Sequence, residues 1–430
     1  MSLGTRIREL RQSRGLTQTQ LGGTDLSKSF ISLVERDRTR PSVETLTLIS
    51  RRLGTSVDGL LGQEGRLHET AAESLLTLSR EAAKRRELDS AVRLLDAADY
   101  IAQTYGIDEA ARESSLQRAN ILVAQRKYDD AWPLLERVKA TCEQTQDHWR
   151  LGRTLLVMAR YRVRVREFPE AISLLEHALT ILKRAKASRD PARVEALILL
   201  GTALTYTGGF EDALKRYEEA ASSDVAKRET VLRGRALWGM GLANRKLRRY
   251  DRAREHLVRA KDAMEQAEEL PDLMRVLQNI GQVEMEQGRH KEALRHLHHA
   301  LRVADRIANP LDRGSVLTDI GRANLETGNL DEAELFAQQS LAQSREVDPV
   351  EMAEAQTILA KIRMRRKDPF GAARLMKDAL AIFKERGMQV RVAQTARELG
   401  LMLKEQGALA EAADFLAIAL ESAEAETAAR

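Results

Sequence analysis

The sequence is poor in most of what builds a sheet, a membrane span or a disulfide framework. Aromatic residues make up 4% of its 430 positions, and proline occurs only 8 times. Strands draw on aromatic and β-branched side chains, so a chain rich in Ala, Leu, Arg and Glu points to helices packed through small and aliphatic groups. The single cysteine, Cys142, excludes an internal disulfide and any multi-cysteine metal site. No apolar run approaches the roughly 18 residues that cross a bilayer, the best being Ala196 to Leu204 with Thr202 inside it. The opening residues, Met1 to Arg8, lack the apolar core of a secretory signal, so a reducing cytoplasm and no membrane partner are expected. Catalytic signatures are also missing. No Gly-x-Ser-x-Gly elbow or His-Glu-x-x-His occurs, so neither an enzymatic activity nor a cofactor is expected.

What is present is charge, at 31% of residues, and it is unevenly placed. Residues 1–62 hold ten Lys/Arg against six Asp/Glu, while residues 63–430 hold 59 against 58. Nearly all of the net charge of +5 therefore sits in the first seventh of the chain, as a phosphate-binding domain requires.

That segment reads as five short helices. Ile7 and Leu10 face inward on the first, which stops near Gly15. Thr17 and Gln20 have the spacing of a capping box and open the second, which carries Leu21. After a turn through Gly22, Gly23, Thr24 and Asp25, Ser27 can cap a third helix with Ile31 and Val34 inside. Pro41-Ser42 starts a fourth with Leu46, Ile49 and Leu53 at helical spacing, and Ser56–Leu61 a fifth.

Leu16-Thr17-Gln18, Ser27 to Arg36 and Arg40 to Leu46 together resemble the Xre/Cro family of helix-turn-helix domains, to which the lambdoid phage repressors belong. The likeness covers about 60 residues and departs in one place. The stretch between Gln18 and Ser27 is one residue shorter than in many members, with Gly22-Gly23 where a longer second helix is usual. With Ile31 and Val34 buried, the third helix turns Lys28, Ser29, Ser32, Leu33 and Arg36 outward, the last four on one continuous face. Such a helix fits the major groove, where Lys28 can donate to guanine, the serines can bond either partner, and Leu33 can meet a thymine methyl. The resemblance implies that Thr17 and Gln18, at the start of helix two, lie near the DNA and that Gln18 holds a phosphate or outer base. Arg38 and Arg40 would grip the backbone and set register. It also implies a homodimer on two half-sites of a double-stranded operator, about 34 Å or a multiple apart.

The rest of the chain repeats every 40 residues or so. A small residue follows Arg118, Met158, Leu200, Met240, Ile280, Ile320, Leu359 and Leu399, and an alanine stands twelve positions after each small residue, from Ala131 to Ala412. An earlier unit with Ser79 and Ala91 makes nine. Each unit is expected to be an antiparallel helix pair that cannot bury its face alone, so the pairs must stack. Leu200-Gly201, Gly208, Phe210, Ala213, Tyr217 and Ala220 resemble the tetratricopeptide repeat in a lengthened form. The expected fold is therefore all-α: a helix-turn-helix domain over 1–62, a linker over 63–66, and a right-handed tetratricopeptide-like solenoid of about nine helix pairs over 67–430.

By that family's register the first helix of each pair lines the concave side. Its inner positions are Asn120, Arg160, Arg164, Tyr206, Trp238, Arg245, Gln278, Asn279, Gln282, Arg322 and Lys361. Amides can pair with an extended peptide's backbone, Arg and Lys can hold a carboxylate, and Trp238 can anchor an apolar side chain. The crowded His290, His296, His298 and His299 are expected to be a His-rich surface rather than a metal site. Gly239-Met240-Gly241 sits inside a helix and is expected to serve packing, not phosphate binding. The two halves joined together resemble the peptide-sensing quorum regulators of Gram-positive bacteria and their phages, which implies a transcription regulator whose groove takes a short peptide. Two alternatives stay open: a scaffold that docks a signalling protein or polymerase, and an array that only dimerises the chain.

Overall fold

A computed structural model describes residues 2–61, 64–185, 190–307, 310–344 and 348–428, and every regular element among them is helical. The first five helices are α1 (Leu3–Ser13), α2 (Gln18–Gly22), α3 (Lys28–Glu35), α4 (Val43–Arg52) and α5 (Val57–Leu61). Their starts are written in the sequence. Ser2, Thr17, Ser27 and Ser42 each accept a backbone N–H of the following turn, and Thr17 with Gln20 forms the expected reciprocal box. Ile7, Leu21, Ile31, Val34, Leu46, Ile49, Leu53 and Leu60 make one small core.

The repeat helices follow: α6 (Glu64–Lys84), α7 (Leu88–Tyr105), α8 (Asp108–Ala124), α9 (Tyr128–Gln144), α10 (His148–Arg164), α11 (Phe168–Arg184), α12 (Pro191–Tyr206), α13 (Phe210–Ser222), α14 (Asp224–Arg228) and α15 (Thr230–Lys246). They continue with α16 (Tyr250–Gln266), α17 (Leu270–Glu286), α18 (His290–Ile307), α19 (Pro310–Thr327), α20 (Leu330–Ser344), α21 (Pro349–Arg365), α22 (Pro369–Glu385), α23 (Gln389–Glu405) and α24 (Leu409–Ala428). The chain packs as two compact bodies, residues 1–161 and 162–430, that divide within α10. Helix α5 packs on α6 inside the first body. Of residues 63–66, expected as a linker, Glu64–Arg66 fall in the first turn of α6 and Gln63 lies outside the described residues.

Two features of the array escape the periodic reading. Ser223, extended at ψ 151°, ends α13 early and caps the extra helix α14, so this unit has three helices. Each unit also turns from its first to its second long helix through one residue of positive φ. Gly208, Gly288, Gly328 and Gly407 take that place in four units, but Arg86, Arg126, Arg166, Arg248 and Lys367 take it in five, where a Cβ is a steric burden. The small residues do what their spacing predicts. A Cβ on Gly241 would stand 2.6 Å from Leu257, and one on Gly281 2.7 Å from Leu297. Gly239 likewise faces the Tyr217 ring, in keeping with a packing role.

Candidate nucleic-acid interface

Helix α3 is held by its buried side. Ile31 and Val34 enter the core, and the opposite side offers exposed Lys28, Ser29 and Leu33 and half-buried Ser32. Arg36 is exposed too, but it is the C-cap residue beyond the last helical residue, Glu35, and not part of the helix itself. Arg38 and Arg40 lie exposed in the loop that follows. None of these side chains has a protein partner among the described residues, so the face presents cations and short hydroxyls with their bonding capacity unspent.

Behind that face lies a network that the pattern of apolar residues does not announce. Glu35 is 6% exposed. It accepts from Arg11 Nε at 2.6 Å, Arg11 Nη2 at 3.2 Å and Gln18 Nε2 at 2.8 Å. Arg11 Nη1 also donates to the Leu16 carbonyl at 2.7 Å. Burial pushes the Glu35 carboxyl up, but the bonds from Arg11 and Gln18 and the charges of Arg11 and Arg8 outweigh it and hold the group below its usual range. The network ties α1, α2 and α3 together. It also draws inward one residue expected on the DNA side, since the Gln18 amide is engaged with Glu35. Thr17 is likewise occupied, its hydroxyl accepting the Gln20 N–H at 3.1 Å as a helix cap. Of the ten cations in this segment, Arg11 and Arg52 serve the fold rather than the surface. The only signal for Arg11 in the sequence was a lone acid, Glu35, among inward-facing positions of α3.

The inner positions of the array depart further from expectation. Within the second body, Arg245 bonds Gln282 and Glu286 at 2.5 and 2.7 Å, and Gln282 in turn donates to Asp319 at 2.9 Å. Arg322 bridges Asp319 at 2.9 Å and Glu354 at 3.1 Å, Arg391 reaches Glu354 at 2.6 Å, and Lys361 meets Glu398 at 2.8 Å. These contacts form a polar ladder across the first helices α15, α17, α19, α21 and α23. Gln278 is a correction to the exposed positions: it is 8% exposed and donates to Asp319 and Ser315. Asn279 turns its amide to the Arg275 carbonyl of its own helix, and Trp238 is half-buried against the core. The register places these residues on the right helices but cannot show that the partners joining one first helix to the next stand 32 to 41 positions away. Tyr206 remains exposed and stacks on Phe168 at 4.8 Å, and Arg164 is exposed. In the first body Arg160 bonds Asn120, and buried Glu113 gathers Arg80, Arg150 and Arg153.

The histidines on α18 show no convergence. Burial pushes His296, His298 and His299 down, and among the described residues no three His, Cys, Asp or Glu side chains stand together to hold a metal ion. Among those residues, too, no helix is long and apolar enough to cross a membrane.

Comparison with known proteins matches different families to different parts of the chain. Residues 7–60 match a helix-turn-helix family, and residues 151–224, 198–268 and 272–346 match tetratricopeptide repeat families. The immunity repressor protein of Bacillus phage phi105 is 39% identical over 88 residues, which are 20% of this chain and 61% of that repressor. The chain thus spans less than two thirds of the length of this curated relative. Among solved structures, the apo form of RapI superposes with a TM-score of 0.63 at 16% identity, over 82% of this chain and 97% of its own. A Rap protein complexed with Competence and Sporulation Factor gives 0.59 at 14%, over 84% and 100%. At that identity the likeness is one of fold. The chain joins an Xre-type helix-turn-helix domain to an array of tetratricopeptide repeats.

Proposed function

We propose that this chain is a sequence-specific transcription regulator whose array binds a peptide or protein segment that modulates its grip on DNA. The observation that carries the reading is the outward side of α3 and its C-cap, where Lys28, Ser29, Leu33 and the C-cap residue Arg36 are exposed and uncommitted above the Arg11–Glu35–Gln18 network. Lys28, Ser29, Ser32 and Leu33 read base edges, while Arg36, Arg38 and Arg40 hold phosphates; Thr17 and Gln18 sit beside them as supporting residues. Two chains form a homodimer on a partly palindromic duplex in the cytoplasm. The repressor likeness of the head supports the DNA half of the reading. The Rap protein solved with its factor supports the peptide half only by shared fold.

A ligand changes DNA affinity only if it binds one arrangement of the array better than another, and by no more than that difference. The test starts from a random-sequence duplex library and the full chain. A preferred duplex is enriched, and Lys28→Met weakens it by about 1–3 kcal/mol while relaxing one base position. Arg40→Met weakens every duplex alike and lowers the salt slope by about 0.9. Failure to enrich any duplex refutes the DNA reading. Peptides that bind tightly without changing duplex affinity refute the coupling.

A second reading, a scaffold that docks a protein without any small peptide, draws on the ladder. Polar groups already paired with one another leave less for a short ligand to recruit. A stoichiometric protein partner co-purifying with the chain favours it, and a heat-stable small ligand favours the first.

A further inference from the structure

The turn between α2 and α3 is held by a residue from neither helix. Arg52, in the last turn of α4, directs its guanidinium under the end of α2. Its Nη1 donates to the carbonyls of Leu21, at 3.1 Å, and Gly22, and its Nη2 pairs with the Asp25 carboxylate in the turn. These carbonyls end a helix of only five residues, which has no length to satisfy them itself. Gly23, next in the chain, has φ +56°, and a Cβ there would lie 2.7 Å from the guanidinium carbon. The shortened turn, the glycine and the arginine therefore form one fitted arrangement. Leu26 N–H returns to the Gly22 carbonyl at 3.0 Å, and α3 starts two residues later. Whatever fixes Leu21, Gly22 and Asp25 thus fixes where α3 begins.

We infer that Arg52 is a positioning residue for DNA recognition: it sets the pose of α3 and contacts no phosphate. The inference rests on the DNA-binding reading above. Its chemistry suits the task. A planar guanidinium can serve two carbonyls and a carboxylate at once in a fixed geometry, which an ammonium cannot. Because Arg52 spends its donors inside the protein, its loss should disturb the match to bases without removing a phosphate contact. Arg52 and the turn residue Asp25 thus have opposite charge but the same predicted effect. Loss of the Asp25 charge would strengthen binding to any duplex if only electrostatics mattered, yet it would weaken recognition if Asp25 anchors Arg52.

The experiment uses the full chain, its enriched duplex and a scrambled duplex of equal length, with affinities measured across a salt series. Arg52→Met is expected to cut the preference for the enriched duplex about tenfold, with the scrambled duplex and the salt slope unchanged. Arg52→Lys should restore part of that preference, and Asp25→Asn, at an exposed site, should lower it despite removing a negative charge. Helix content by circular dichroism keeps an unfolded variant from being misread, and the Asp25→Asn result stands even if Arg52→Met does not fold. The proposal is overturned if Arg52→Met weakens both duplexes equally and lowers the slope by about 0.9, which marks a phosphate contact. It is equally overturned if Asp25→Asn tightens both duplexes with the preference intact. A wild-type chain that enriches no duplex instead removes the DNA-binding reading, and this inference with it.

Discussion

The head and the array handle polar groups in opposite ways. Among the described residues of the head one charged pair is buried, while Lys28, Arg36, Arg38 and Arg40 are left alone. Along the second body most inner polar residues from α15 to α23 are paired with each other, rung by rung. A domain of five short helices has few contacts to spare, so each one is singular and its loss is felt throughout. An array repeats its contacts, so a single rung is one among several. Surface exposure in the head therefore marks residues available to a ligand, whereas a polar residue in the array is by default part of the scaffold.

The contrast is most exposed to refutation at Arg11. Arg11→Met leaves Glu35 buried without its cation and should cost the head about 3–5 kcal/mol, seen as lost hydrogen-exchange protection of the α1 and α3 amides. Adding Glu35→Leu should recover most of it. A small loss in the single variant would erase the distinction between the two regions.

Next comes a place where a single contact in the array should matter as one does in the head. A Cβ on Gly239 would lie 2.2 Å from the Tyr217 ring, so Gly239→Ala should cost about 1–3 kcal/mol in thermal melting. Tyr217→Leu in the same chain should relieve the crowding.

A third test asks whether buried charge in the array follows the head's rule. The Glu351 carboxyl is pushed up to about 7, mainly by burial, with Asp319, Glu354 and Asp348 adding to the shift and the Thr318 hydroxyl opposing it. The sign is the reverse of that for Glu35. The folded chain keeps the Glu351 proton up to about pH 7, whereas the unfolded chain releases it near 4.3, so stability falls as pH rises through that window. Glu351→Gln should therefore melt on the order of 5 °C above the wild type at pH 8 and show little gain at pH 4. For Glu35, held low, the contribution is present at neutral pH and disappears as pH falls through its depressed value.

The smallest effect belongs to a repeated element. Arg126 holds a left-handed turn that glycine fills in four other units, so Arg126→Gly should stabilise by about 0.5–1 kcal/mol despite its looser unfolded chain.

Much of this was legible beforehand, and the reasons differ by region. Caps such as Thr17 and Ser27 act on residues two or three positions away, so local spacing predicts them well. The spacing of Ile31 and Val34 likewise says which side of α3 is buried. Small residues at a 40-residue period disclose the helix pairs, because close approach demands them wherever they recur. What stayed hidden is contact at a distance along the chain. Nothing near Arg52 announces the carbonyls of Leu21 and Gly22, and nothing near Gln282 announces Asp319. Helix α14 was hidden for another reason: a break at Ser223 leaves the alanine spacing undisturbed. Gln18 shows the limit of resemblance, since its position matches the expected one while its amide is turned inward in this structure.

One further consequence lies in the tyrosine held between glycines. Tyr217 stands where the units around Leu257 and Leu297 carry leucine, and its ring occupies the room left by Gly201 and Gly239 together. Neighbouring modules here fit as a key fits a lock cut for it alone. Copies of this stretch cannot be shuffled freely with its sister modules, so growth or shortening of the array by recombination has to fall elsewhere or carry all three residues along.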